Sequence, residues 1–174
     1  TDMSECVVFY SKDGNTEFVA RAVAERRGAA LVRLTETGKR GKFSVMVGGG
    51  FQAIAKAKSK LVGEPWEQAA AHDVVYLLTP IWASNGTPAI NRFLDEADLR
   101  GKTCHLVTVQ ADPKKAGSEK ALSYLSGVVE SKGGRVASTA ALHGASPGKF
   151  GGEEHLRRQL DQISAAGDAA PEKG

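Results

Sequence analysis

An alternation of short apolar runs with segments of helical period constrains this chain more than any other feature. ECVVFY (5–10), AALVRL (29–34), VVYLLTP (74–80), TCHLVTVQ (103–110) and RVASTAAL (135–142) read as strands. The third is almost wholly apolar, as expected of a strand covered on both faces. Between them the pattern takes on helical spacing. Phe18, Val19, Ala22 and Val23 share one helical face, and Gly28 is placed to stop that helix. Thr87-Pro88 suits an N-cap and first helical position, with Ile90, Phe93, Leu94 and Ala97 turned inward. Leu122, Leu125, Val128 and Val129 mark a helix ended by Gly133-Gly134. Glu153-Glu154 open a last helix, with Leu156, Leu160 and Ile163 on its core face. Strands alternating with helices imply a parallel sheet between two helical layers, joined by right-handed crossovers. A chain of 174 residues suits one such domain, expected over 1–164, followed by a frayed polar tail over 165–174.

One segment breaks the alternation. Residues 35–64 hold six cations (Lys39, Arg40, Lys42, Lys56, Lys58, Lys60) against Glu36 and Glu64. The whole chain carries only +3, so the remainder is near neutral and makes no case for nucleic acid. The segment reads as a basic, glycine-rich excursion at the sheet edge, with one helix over 50–61 suggested by Phe51, Ile54, Ala55 and Leu61. No run approaches the roughly 20 apolar residues of a membrane span. The opening TDMSECVVFYSK lacks the pattern of a secretory leader. Cys6 and Cys104 lie in separate apolar runs without CxxC spacing, which reads as two buried, reduced thiols and a cytoplasmic setting.

In open parallel sheets, ligands sit beyond the carboxyl ends of the strands, where chain order reverses. The loops at 11–16, 80–87 and 110–117 therefore carry the functional question. Ser11-Lys12-Asp13-Gly14-Asn15-Thr16 joins a strand directly to a helix N-terminus. Free N–H groups, the helix dipole and two hydroxyls favour a phosphate there. A tight capped turn explains the same residues. In Pro80-Ile81-Trp82-Ala83-Ser84-Asn85-Gly86, a tryptophan ends a buried strand, placed either to pack or to stack on a flat ligand. Asn85-Gly86 suits positive φ.

The two loops together resemble the flavodoxin-like family. SKDGNT is similar to that family's phosphate loop, (S/T)-x-(S/T)-G-N-T, and TPIWASNGTPAINRFL (79–94) resembles its second flavin loop and the helix that follows. DLRGKTCHLVTVQ (98–110) resembles its lead into strand four. The resemblance implies an α/β three-layer sandwich with a five-stranded parallel sheet of order 2-1-3-4-5, binding FMN without a covalent link. It implies that Ser11, Asp13, Gly14, Asn15 and Thr16 hold the FMN phosphate. Pro80, Ile81, Trp82, Ala83, Ser84, Asn85 and Gly86 would border the isoalloxazine ring, and Gln110, Ala111 and Asp112 would approach its pyrimidine edge.

The expectation is a flavoprotein of electron transfer. It would be an FMN-dependent oxidoreductase using NAD(P)H or a flavodoxin-type carrier serving a redox partner protein. The alternative is a flavodoxin-like interaction module that no longer binds FMN. Asp13 stands where the family has a hydroxyl, and a carboxylate there repels phosphate unless it turns away to cap the helix. The third loop, QADPKKAGSE, has no aromatic residue to cover the second ring face. An open face suits a reductase, with Phe43, Phe51 and Trp66 as candidates for another aromatic wall. Lys56, Lys58 and Lys60 read as a solvated helix face, or as a docking surface for an acidic partner or the 2′-phosphate of NADPH.

Three further patterns carry less. GGGFQA (48–53) fits a dinucleotide fingerprint but lies outside the first strand–turn–helix unit. GASPG (144–148) fits a hydrolase elbow, yet Pro147 removes the oxyanion N–H and His155 precedes Asp161, the reverse of the required order. His72, His105, His143 and His155 show no metal-ligand spacing and read as isolated structural or surface residues.

Overall fold

The computed structural model describes residues 3–37, 58–82 and 84–168. Five strands are β1 (Glu5–Phe9), β2 (Ala30–Arg33), β3 (Val74–Pro80), β4 (Thr103–Gln110) and β5 (Arg135–His143). The helices are α1 (Asn15–Arg27), α2 (Pro65–Ala70), α3 (Pro88–Glu96), α4 (Ser118–Ser131) and α5 (Glu153–Asp168). All strand pairs are parallel, in the order β2-β1-β3-β4-β5. The layered sandwich read from the alternation, and the strand order that the resemblance implied, are those of the structure.

Side chains alternate across the sheet, so each strand feeds two cores. Cys6, Val8 and Tyr10 join Val75, Leu77, Ile90, Phe93, Leu106 and Leu125 on one side. Val7 and Phe9 join Val19, Ala20, Leu78, Leu142 and Leu156 on the other. β3 is buried on both faces, which its apolar sequence requires. β5 is an edge strand of exposed and half-buried residues with Leu142 buried, bulged opposite Cys104/His105, and bulges blunt an open edge.

The basic excursion leaves and re-enters beside β2. Glu36 and Leu61 form an antiparallel bridge, with Thr37 N–H donating to Lys60 O at 2.9 Å and Val62 N–H to Thr35 O at 2.8 Å. This pairing corrects the expected helix over 50–61: residues 58–61 are not helical, because Leu61 is paired to Glu36 on the outgoing chain. The rest of that expected helix, Phe43, Phe51 and the GGGFQA motif lie outside the described residues.

α2 is too short to show a period, and no helix was expected there; Pro65 sets its first turn. Thr87 does stand at the N-cap of α3, but its hydroxyl makes no cap and meets Thr79 Oγ1 at 3.2 Å. α5 continues to Asp168, past the residue where the polar tail was expected to begin. Leu156 and Leu160 are buried on it, whereas Ile163, one turn on, is 39% exposed and not a core residue. Among the described residues, no helix is long and apolar enough to cross a membrane.

Cys6 and Cys104 are both free and buried. Each pairs with Val75 from opposite sides, so two strand spacings, about 9.6 Å, separate them, too far for a disulfide. Burial pushes both thiols up to about 11.

Candidate functional site

The topology brings the three loops to one edge, at the carboxyl ends of β1, β3 and β4. Gly14 takes φ +88° immediately before α1, a conformation open to glycine at little cost. Phe18 N–H donates to Gly14 O at 3.0 Å, and no side chain caps the helix. Asp13 is exposed and does not cap it. Ser11 Oγ is buried with no hydrogen-bond partner among the described residues. Thr16, 2% exposed in the first turn, makes no hydrogen bond through its hydroxyl among the described residues. An orphaned buried hydroxyl beside an uncapped helix start is what a phosphate would satisfy. Glu17 in the same turn is held by Arg33 and by Arg21 at 3.4 Å. Burial raises its carboxyl, but the two arginines outweigh that and keep it below its ordinary value.

Asn15 does something different from what the loop pattern suggested. Its side-chain Nδ2 donates to Lys149 O at 2.8 Å, and its Oδ1 accepts from Gly151 N–H at 2.8 Å. A Cβ at Gly144 would meet Asn15 Cγ at 2.9 Å. Phe150 lies edge-on to Phe18, with ring centroids 6.0 Å apart. The segment whose spacing fits a hydrolase elbow is a loop packed onto the start of α1, in keeping with the rejection of that motif.

Trp82 is half-buried and stands edge-on to Tyr10, 5.8 Å between centroids. Tyr10, buried, donates its hydroxyl to Glu36 at 2.7 Å, tying this corner to the excursion's bridge. Trp82 and Asn85 close a tight turn with reciprocal backbone bonds of 2.8 and 3.0 Å. The positive φ in this turn falls on Ser84 (61°), not on Asn85 or Gly86 as expected, because the chain must reverse between the two paired residues. Gly117 packs directly on Ser84 and joins the second loop to the third. Gly86 is buried with Leu125 3.6 Å from where its Cβ would stand. Pro80 and Ile81 are half-buried at the loop's start, and Ala83 lies outside the described residues.

Gln110 is 5% exposed and its Nε2 donates to Ala116 O at 2.7 Å, leaving Oε1 buried and without a partner among the described residues. Ala111 follows, half-buried. Asp112 turns into its own loop, accepting from Lys114 N–H and Ala116 N–H at 3.0 Å each, and those two bonds hold its carboxyl below the usual range. Trp66 packs against the first core. Lys58 makes an ion pair with Asp95 at 2.9 Å.

Sequence reasoning missed two pieces of this corner, Tyr10 and the loop at 144–151. It also took the histidines as isolated, whereas His143 Nδ1 and His155 Nε2 lie 3.0 Å apart. Gln159 spans His143, accepting from its N–H at 2.9 Å and donating to its C=O at 2.8 Å. Among the described residues no third ligand joins the pair to make a metal site.

No protein-family model matches this chain, and no curated protein does. Solved structures do. A flavoprotein from Bacteroides eggerthii DSM 20697 aligns with TM-score 0.67 at 18% identity, covering 94% of this chain and 99% of that one. A flavoprotein from Lactobacillus acidophilus NCFM, solved in complex with FMN, gives 0.64 at 14%, covering 80% and 93%. Two-electron reduced Megasphaera elsdenii flavodoxin gives 0.54 at 20%, covering 92% and 99%. At these identities the likeness shows the architecture, and with the strand order it defines a flavodoxin-like α/β fold.

Proposed function

We propose that this chain is an FMN-binding flavoprotein of electron transfer. In this reading it acts as an FMN-dependent oxidoreductase supplied by NAD(P)H, or as a flavodoxin-type carrier serving a redox partner protein. One observation carries the reading: buried Ser11 Oγ, without a partner among the described residues, beside the uncapped start of α1, on the edge that also presents Trp82. Ser11, Thr16 and the first-turn N–H groups would hold the phosphate. Trp82 would border the ring, and Gln110 Oε1 would accept from its pyrimidine edge. FMN, when bound, supplies the redox chemistry. The protein's part is to bind it, orient it and keep water from one side. The FMN complex of the Lactobacillus protein supports the choice of flavin. The third loop carries no aromatic side chain, which favours an open ring face and therefore a reductase. Two free buried thiols fit a cytoplasmic setting.

The test is to load the purified protein with FMN and mix it anaerobically with NADPH. Bleaching of the flavin band without a second reductase is expected of the oxidoreductase. A band that persists identifies a carrier. Protein that retains no FMN contradicts both and leaves the interaction module.

A further inference from the structure

The loop at 144–151 has no role in the flavin reading, yet it is fixed in place from both ends. At its stem, Gln159 brackets the His143 backbone and contacts His155 Nε2 at 3.3 Å. Its tip is fastened by the buried side chain of Asn15, through two hydrogen bonds of 2.8 Å. Gly144 and Gly151 give the room this needs, since a Cβ at either would strike its neighbours. Phe150 comes within 4.0 Å of where a Gly14 Cβ would stand. The loop is thus a wall beside the start of α1.

What this wall brings is Lys149. Its carbonyl is bonded to Asn15, so its Cα sits beside the first residue of α1, within reach of a four-carbon side chain. Among the described residues its ammonium has no ion pair. The charges nearby decide what that means. Glu17 is neutralised by Arg33 and Arg21, Glu154 by Arg158 at 2.8 Å, and Arg157 lies over Phe18 at 5.1 Å. In the first loop, Lys12 and Asp13 are opposite in sign, and Glu153 opens α5 just beyond the wall. Lys149 adds one cation to this corner, beside the buried Ser11 hydroxyl that has no partner among the described residues.

We propose that Lys149 is a specificity-determining residue for the phosphate end of the ligand, and that Asn15 is the positioning residue that delivers it. The proposal rests on the flavin reading and deepens it: the site selects a phosphorylated flavin over the same ring and ribityl chain without phosphate. The cation that meets the phosphate comes from a loop more than a hundred positions beyond the phosphate loop.

The experiment titrates the full-length protein with FMN and, separately, riboflavin, for wild type, Lys149→Gln, Lys149→Arg and Lys120→Gln. Lys120 is an exposed lysine on α4. Lys149→Gln is expected to weaken FMN by about 10-fold, the scale of one charge-assisted hydrogen bond, and to leave riboflavin within about 2-fold. Lys149→Arg keeps most of the FMN affinity, and Lys120→Gln changes nothing. The salt dependence of FMN binding flattens only in Lys149→Gln. Wild-type binding of FMN with equal affinity in Lys149→Gln, or equal loss of both flavins, overturns the role of Lys149 and spares the flavin reading. Wild type that binds neither flavin overturns both.

Discussion

Asn15 and Gly151 are hydrogen-bonded 2.8 Å apart, side-chain oxygen to backbone N–H, across 136 positions of sequence. With the companion bond to Lys149, this amide fastens the last strand–helix loop to the first. Asn15→Ala leaves the partly buried Gly151 N–H and the Lys149 carbonyl without their partner. We expect a loss of about 1–3 kcal/mol in urea unfolding. Asn15→Asp keeps the acceptor but sets a carboxylate oxygen against the Lys149 carbonyl, and is expected to cost at least as much. A loss under about 0.5 kcal/mol for both, the size of an ordinary surface substitution, would contradict the fastening.

Gly117 and Gly148 separate strain from collision. Both take a φ near 80°, but nothing lies within 4 Å of a Cβ at Gly148, while one at Gly117 would stand 2.9 Å from Ser84 Cα. Gly148→Ala is expected to cost about 1–2 kcal/mol, the left-handed penalty alone. Gly117→Ala should cost a further 1–3 kcal/mol or so, as overpacking does, and part of it should return in a Ser84→Gly background. Equal unfolding midpoints for the two alanine variants would remove the contact between the second and third loops.

Stability should fall at alkaline pH through Cys6 and Cys104. Their folded pKa values, raised to about 11, lie above the unfolded value near 9. Their contribution is therefore complete below pH 9 and is lost between pH 9 and 11 as the unfolded chain releases protons first. The slope is about 1.4 kcal/mol per pH unit for each thiol. Urea midpoints across that window measure it, and Cys6→Ala with Cys104→Ala should flatten the curve. An unchanged slope would show that the thiols are not the groups responsible.

The two tryptophans should report differently on flavin. Trp82 lies on the candidate site and Trp66 packs into the core. Added FMN is expected to quench most of the emission of a Trp66→Phe protein and little of a Trp82→Phe protein. Trp82→Ala should weaken FMN by about 3–10-fold, the scale of one aromatic stacking contact. Stronger quenching in the Trp82→Phe protein would place the ring elsewhere.

The sheet was legible because strand period and burial coincide: Val7 and Phe9 face one core, Cys6 and Val8 the other, and β3 is apolar because it is covered twice. Ser11 and Thr16 were legible because their place, between a strand and a helix start, is local. Asn15 was legible as a position and not as a partner, since its bonds run to residues 149 and 151. The same distance hid the loop at 144–151, whose glycines fit a local motif while serving a remote side chain. Positive φ was assigned to Asn85-Gly86 by residue preference, but the turn's pairing puts it on Ser84, with Gly117 packed against it. α2 is too short to show a period, and Leu61, whose spacing suggested the end of a helix, is instead paired to Glu36.

The most direct test of the account is a titration of the purified, flavin-free protein with FMN, followed by its visible spectrum and fluorescence. The account predicts saturation at one FMN per chain, a shifted and structured flavin band, and loss of saturation at equal concentrations in a Ser11→Ala, Thr16→Val double variant. A flavin spectrum unchanged from free FMN at millimolar concentration would contradict it.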